Sequence, residues 1–551
     1  MIYTGFSIVF PEGRNTHGKK EKREIYFFDH LAKNLYEGAE ALAALKEYHN
    51  VGDIFRILQD YGYLIGMSMD SYLEIALQAG DDLKYFLDPE TGDFSEDAIS
   101  NQEEAEFKAS FMERRNLIMK LLGRSHTPPR FPLIVSVENG KVRGALERFH
   151  GVIQWFDIPY GAGAKGDNRW KKPQPAPPIQ RLLNCTKPGE KNLQFIGGKA
   201  LGVEGKLTLN ICRPNSAKKK LPVMVYLHGG GFQIGNTEEW LGNKFCEMVQ
   251  AVHVGIEFRK GALGFNPLPS LHTGDAEENS GNYALLDIIT ALHWIQRNIE
   301  SFGGDPENVT ISGLSSGGRA AVLMMICPLA RGLFHKVIAF SAGLTLAVPE
   351  PSQKVFAQRF ARLAVEDGLR NTQDEVEKWL LSEAADDRKT ARAWLMGLSE
   401  ERVISLFPVA GGRMVAFPHF FLDGTVLPKE GFDTLHWNQA PLMAFCSSDE
   451  FSLFTGVDPW FRQRQKANPA DQALPGDKAL STKYGSLFFA YFSSHQMAKH
   501  LYPHLNTPIY IGRFNYGHDA KHFSEEFVRR YGAVHGVYLP FLSDQLQIHF
   551  Q

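Results

Sequence analysis

Six short apolar runs, at residues 223–227, 252–258, 309–312, 337–340, 442–445 and 509–511, alternate with longer stretches of helical spacing. Between the second and third runs, Leu285, Ile288, Ile289, Leu292, Ile295 and Ile299 recur three and four residues apart across 282–302, which predicts an amphipathic helix. Parallel strands need a long crossover, and helices supply it while covering both faces of the sheet. The alternation therefore predicts an α/β fold built on a mostly parallel central sheet.

Upstream the pattern differs. From about 25 to 123 the only proline is Pro89, and apolar residues such as Leu31, Leu35, Leu42 and Leu45, then Phe107, Phe111, Leu117 and Met119, keep helical spacing. Thr127-Pro128-Pro129 ends that pattern, because residues before proline are pushed out of the helical region. We expect a helical N-terminal extension over 1–128, serving as lid, packing layer or self-association segment, and a main domain over 129–551. That domain should open with a hairpin, since Glu138-Asn139-Gly140 separates two β-type runs and Asn-Gly favours a two-residue turn.

With 44% hydrophobic and 22% charged residues the chain reads as an ordinary globular protein. A net charge of -3 offers no basic field for nucleic acid, and the run at 19–23, Lys-Lys-Glu-Lys-Arg, is expected to be a solvated loop. No apolar run reaches the length of a membrane span, and 1–12 carry no secretory leader pattern. Five widely spaced cysteines without a CxxC pair suggest reduced thiols and a cytoplasmic location, with no metal site.

Chemistry concentrates at Gly313-Leu314-Ser315-Ser316-Gly317, which follows a β-branched run and precedes a helix-forming stretch. A G-x-S-x-G pattern in a strand-turn-helix setting presents its serine above the end of a sheet. A serine hydroxyl is a weak nucleophile at neutral pH, so it needs a base, an acid to orient that base, and donors for the oxyanion that attack creates. His228-Gly229-Gly230-Gly231-Phe232, directly after the run at 223–227, supplies side-chain-free backbone for such donors. The N–H groups of Gly230, Gly231 and Ser316 are the expected oxyanion hole.

These segments, taken with 137–144, 156–160, 207–211, Phe258-Arg259-Lys260-Gly261-Ala262-Leu263-Gly264-Phe265, Gly281-Asn282 and 298–306, resemble the type-B carboxylesterases, the cholinesterase and lipase relatives among α/β hydrolases. The resemblance spans about 131–545 and implies an α/β-hydrolase fold and a serine carboxylesterase. It implies a glutamate acid at Glu450 in Asp449-Glu450-Phe451, and a histidine base at His535 in Gly532-Ala533-Val534-His535-Gly536. Asp449 is the weaker substitute acid, and His518 and His522 are competing surface histidines. Ser315, Glu450 and His535 occur in the chain order nucleophile, acid, base. A small-molecule ester is the expected substrate, with no cofactor and no metal.

Four departures qualify the resemblance. Leu314 stands where relatives often carry glutamate, making the site floor more apolar and cationic alcohols poorer substrates. Phe451 replaces the glycine after the acid, and Lys206 replaces the cysteine of the early disulfide in secreted relatives. The chain ends at Gln551 soon after His535, where relatives usually continue with further helices. An acyltransferase using the same triad and a non-catalytic interaction protein of the same fold stand as alternatives, and 39 phenylalanines favour an apolar or aromatic substrate pocket.

Overall fold

The computed structural model describes residues 7–14, 20–26, 128–147, 150–408, 417–518, 527–528 and 531–542. The helices expected between 25 and 123 lie outside these residues. What is described of the first 128 is an antiparallel pair, β1 (Ser7–Arg14) and β2 (Lys20–Tyr26), with Ser7 opposite Tyr26. Most of the basic run expected as a loop therefore lies in β2. In a two-stranded ribbon both strands are edges, where charged side chains are well tolerated.

The expected hairpin is present as β3 (Ile134–Val137) and β4 (Gly140–Arg143), but its register pairs Val137 with Gly140, so Glu138 and Asn139 are the loop residues. Gly140 sits at φ +148°, and a Cβ there would lie 2.5 Å from that of Ile179. Close approach of two segments, more than the turn type, demands this glycine.

The chain continues through β5 (Ala145–Glu147), β6 (Val152–Pro159), β7 (Leu182–Asn184), β8 (Gln194–Ile196), β9 (Lys199–Leu201) and β10 (Thr208–Pro214). It then enters β11 (Leu221–Leu227), β12 (Val252–Ile256), β13 (Gly304–Leu314), β14 (Lys336–Phe340), β15 (Leu442–Ser447) and β16 (Ile509–Phe514). The main sheet has nine strands in the order β16-β15-β14-β13-β11-β12-β10-β6-β5. Its six parallel strands are the six runs read from sequence, and β10, β6 and β5 add an antiparallel flank at one side.

Four helices matter for the site: α1 (Tyr283–Asn298), α2 (Ser316–Leu323), α3 (Glu450–Val457) and α4 (Leu474–Ala490). Leu285, Ile288, Leu292 and Ile295 of α1 are fully buried, as their spacing predicts. No helix among the described residues is long and apolar enough to cross a membrane.

Sheet order positions the chemistry. The chain leaves β11 to form β12 on one side and β13 on the other, and such a switch in strand order opens a crevice at the carboxyl ends of the strands. Leu227 pairs with Gly313, Leu314 with Phe340 and Phe340 with Phe445, so the segments after β11, β13, β14 and β15 leave one edge side by side. Neighbouring strands lie about 4.8 Å apart, which brings four sequence-distant loops within reach of one substrate.

Candidate active site

Ser315 caps α2 with φ +55° and ψ −118°, a conformation that side chains other than glycine seldom adopt. Its N–H donates to Phe340 O at 2.8 Å, tying the strained turn to β14. The flanking glycines serve packing: a Cβ on Gly313 would lie 2.4 Å from Gly317 C, and one on Gly317 would lie 2.1 Å from Leu227 O. Positive φ thus falls on the serine, and the glycines let α2 start against the end of β11.

Glu450 is fully buried at the start of α3. One carboxylate oxygen bonds His535 Nδ1; the other accepts from Ser341 Oγ at 2.5 Å and from the Ser447 N–H at 2.6 Å. Tyr538 donates to Ser341 at 3.0 Å, extending the chain of bonds by one more hydroxyl. With the Nδ1 proton directed at Glu450, the lone pair of His535 resides on Nε2, as a general base requires. The Phe454 and Phe489 rings lie 5.1 and 5.8 Å from the imidazole.

The histidine segment docks beside the serine. Tyr538 packs with Leu314 and stacks on Phe340 at 4.6 Å, and a Cβ on Gly536 would lie 3.7 Å from Leu314. The hydroxyl of Ser315 makes no hydrogen bond with His535 among the described residues; in substrate-free sites such bonds are often long and tighten on binding.

Asp449, the alternative acid, is engaged otherwise. Its N–H donates to Ala533 O at 2.9 Å, its carboxylate accepts from the Ala533 N–H at 2.9 Å, and it pairs with His518 at 2.6 Å. It clamps the loop that carries His535 and does not touch the imidazole. Phe451 fits because α4 presents Gly485 beneath its ring and Ser486 Oγ accepts from its N–H at 3.0 Å. His522 lies outside the described residues.

On the loop after β11, Gly230 and Gly231 adopt φ of +101° and +66°, and their N–H groups meet no acceptor among the described residues. Ser316 Oγ accepts from the Phe232 N–H at 3.2 Å, joining this loop to α2. Beneath it, Glu239 accepts from Tyr226 OH at 2.5 Å and from the Gly229 N–H at 3.2 Å. Burial raises the Glu239 carboxyl above its ordinary value, opposed by Tyr226, Gly229 and the nearby His535. A carboxyl group therefore lies beneath this loop although Leu314 itself is apolar. Among the described residues no group of three or more potential ligands is placed to hold a metal.

The model of the carboxylesterase family matches residues 132–474, more than half of the chain. The chain belongs to this family. It is 30% identical to the para-nitrobenzyl esterase of Bacillus subtilis, over 64% of this chain and 70% of that one. It is 31% identical to the liver carboxylesterase of Sus scrofa, over 61% and 62%. Several of these relatives are thus spanned for less than two thirds of their length, 59% in rat carboxylesterase 1D. A carboxylesterase from Geobacillus stearothermophilus superposes with TM-score 0.55 at 25% identity, covering 74% of this chain and 83% of that one. The fold is that of an α/β hydrolase, as expected. Ser315 and Glu450 lie inside the stretch matched by the carboxylesterase family, and His535 lies beyond it.

Sequence reading missed Ser341, Tyr538 and Glu239. Ser341 carried a usable signal, since it directly follows β14, the parallel strand beside the one that leads to Ser315; Glu239 carried none.

Proposed function

We propose that the chain is a serine carboxylic-ester hydrolase that works through an acyl-enzyme on an apolar or aromatic ester. The observation that carries this reading is the bond from His535 Nδ1 to buried Glu450, formed beside a serine held at φ +55°. His535 Nε2 takes the proton as Ser315 Oγ adds to the ester carbonyl, and Glu450 stabilises the imidazolium. The oxyanion meets the N–H groups of Gly230, Gly231 and Ser316, each typically worth about 3 kcal/mol of barrier. The alcohol leaves with the proton from His535. Water activated by the same nitrogen then releases the acid.

The aromatic rings around His535 support an apolar or aromatic substrate. Lys206 in place of a disulfide cysteine, with five dispersed cysteines, supports a cytoplasmic location. A fluorophosphonate probe should label Ser315 stoichiometrically, and para-nitrophenyl esters should be hydrolysed with an initial burst. Ser315→Ala should lose labelling and at least about 10⁴-fold in kcat. A folded wild-type protein that neither reacts with the probe nor cleaves any ester would overturn the proposal.

A further inference from the structure

Five cationic side chains are buried among the described residues: Arg169, Arg213, Arg259, Lys260 and Arg319. Arg169 pairs with Glu204, Arg259 with Asp287, and Lys260 with Glu257. Arg213 spreads its N–H groups over four main-chain carbonyls, those of Pro214, Phe302, Ser216 and Lys218. Arg319 differs from all of these. It is 5% exposed, and among the described residues its Nε has no partner and its guanidinium makes one bond, to His419 Nε2 at 3.3 Å.

That partner is neutral. His419 Nδ1 donates to Phe417 O at 2.6 Å, so Nε2 holds the lone pair that accepts from Arg319. Burial, with Arg319 adding to it, lowers His419 to about 3. Arg319 itself is lowered by burial to about 10, so it remains a cation at neutral pH. Aromatic rings complete its surroundings, with Phe420 5.6 Å from the guanidinium and Phe232, Phe265 and Phe417 around His419. Residues 409–416, which precede this cluster and lie outside the described residues, include no Asp or Glu. A buried charge without a counterion is costly, and a ligand that brings the missing charge recovers the loss.

Arg319 also lies on the helix that Ser315 caps. It sits one turn along α2 from Ser315 and shares a helix face with Ser316, whose hydroxyl holds the Phe232 N–H of the oxyanion loop. Long side chains on a helix lean toward its N-terminus, which here is Ser315. The Phe232 ring lies 6.0 Å from His419 and so connects the guanidinium to the loop of Gly230 and Gly231.

We propose that Arg319 anchors a carboxylate at the far end of the acyl group, so that the preferred substrates are half-esters of dicarboxylic acids. This rests on the esterase reading above and narrows its apolar acyl pocket to one with a cationic end. Ser315 adds to the ester carbonyl, the alcohol departs with the proton from His535, and water cleaves the acyl-enzyme. The half-ester anion plus water thus yields the dicarboxylate, the alcohol and one proton. Guanidinium suits the task because its fork binds a carboxylate through two parallel hydrogen bonds.

The test compares para-nitrophenyl hemiglutarate with the neutral para-nitrophenyl valerate, two esters of matched chain length. Wild-type kcat/KM should favour the hemiglutarate at least 10-fold, Arg319→Gln should cut that ratio at least 10-fold, and Arg319→Lys should fall between. Glutarate should raise the Tm of wild-type protein and inhibit valerate cleavage competitively, a readout that holds even if the glutamine variant does not fold. Equal wild-type kcat/KM for the two esters, or a ratio unchanged by Arg319→Gln, would overturn the proposal, as would absence of any glutarate effect. If neither ester is cleaved the anchor fails, and if the fluorophosphonate probe and all other esters are also inert the esterase reading fails with it; if valerate alone is cleaved, only the anchor fails.

Discussion

At the scale of single residues, Glu450 determines which nitrogen of His535 carries the proton, and so whether His535 can serve as the proposed base. The Ser447 N–H can only donate, so the oxygen it meets at 2.6 Å must be an acceptor. In Glu450→Gln the amide oxygen is therefore held on that side and the NH₂ is turned toward His535 Nδ1. Nδ1 must then accept, the proton moves to Nε2, and the base loses its lone pair on the serine side. We expect kcat to fall by on the order of 10³–10⁴-fold with a small change in KM, as for a wrong histidine tautomer in a serine hydrolase. A loss below 10-fold would mean that Glu450 does not set the tautomer. Ser341 acts on the same carboxylate through its 2.5 Å bond, which makes it a positioning residue.

Among the elements, the loop 531–538 carries His535, and Asp449 holds it through two bonds to the backbone of Ala533. Asp449→Ala removes the side-chain acceptor, and a hydrogen bond to a charged group contributes about 1.5–3 kcal/mol. We expect Asp449→Ala to lower kcat roughly 10-fold or more, while Asp449→Asn, which keeps an acceptor oxygen, should lose less. Steady-state kinetics of both variants checks the order, and equal losses would count against the clamp. The parallel strands were legible because each holds a short apolar run, buried throughout in the central β12 and partly exposed in the edge strand β16. The antiparallel flank was not read as such: in β6, Gln154 and Asp157 break the run, and its place in the sheet depends on pairing with the distant β10. Ser315 stood out because a short motif carries it, and Glu450 and His535 because the family resemblance marks their segments; folding brings the latter two into contact. Arg319 and Glu239 did not stand out, because a buried charge announces itself only through the partners that folding does or does not supply.

At the scale of the whole molecule, three buried histidines tie stability to pH. Burial lowers His228 to about 4, and His253 and His419 to about 3, from an ordinary 6.5. Below pH 6.5 the unfolded chain takes up protons at these positions that the folded protein refuses, so the unfolded state is favoured as pH falls toward the folded values. Above pH 6.5 both states hold neutral imidazoles and the effect vanishes. Within the window each histidine contributes up to about 1.4 kcal/mol of lost stability per pH unit. His253 isolates the effect, because it lies among Trp240, Tyr226 and Phe245, with its Nε2 buried and unpartnered among the described residues. His253→Phe keeps an aromatic ring in that space and removes the titrating group. Urea unfolding between pH 7.5 and 4.5 should show wild-type stability falling below pH 6.5, and the variant falling less steeply by about one histidine's share. Two curves of the same slope, merely displaced, would mean that His253 is protonated in the folded protein or does not stay buried.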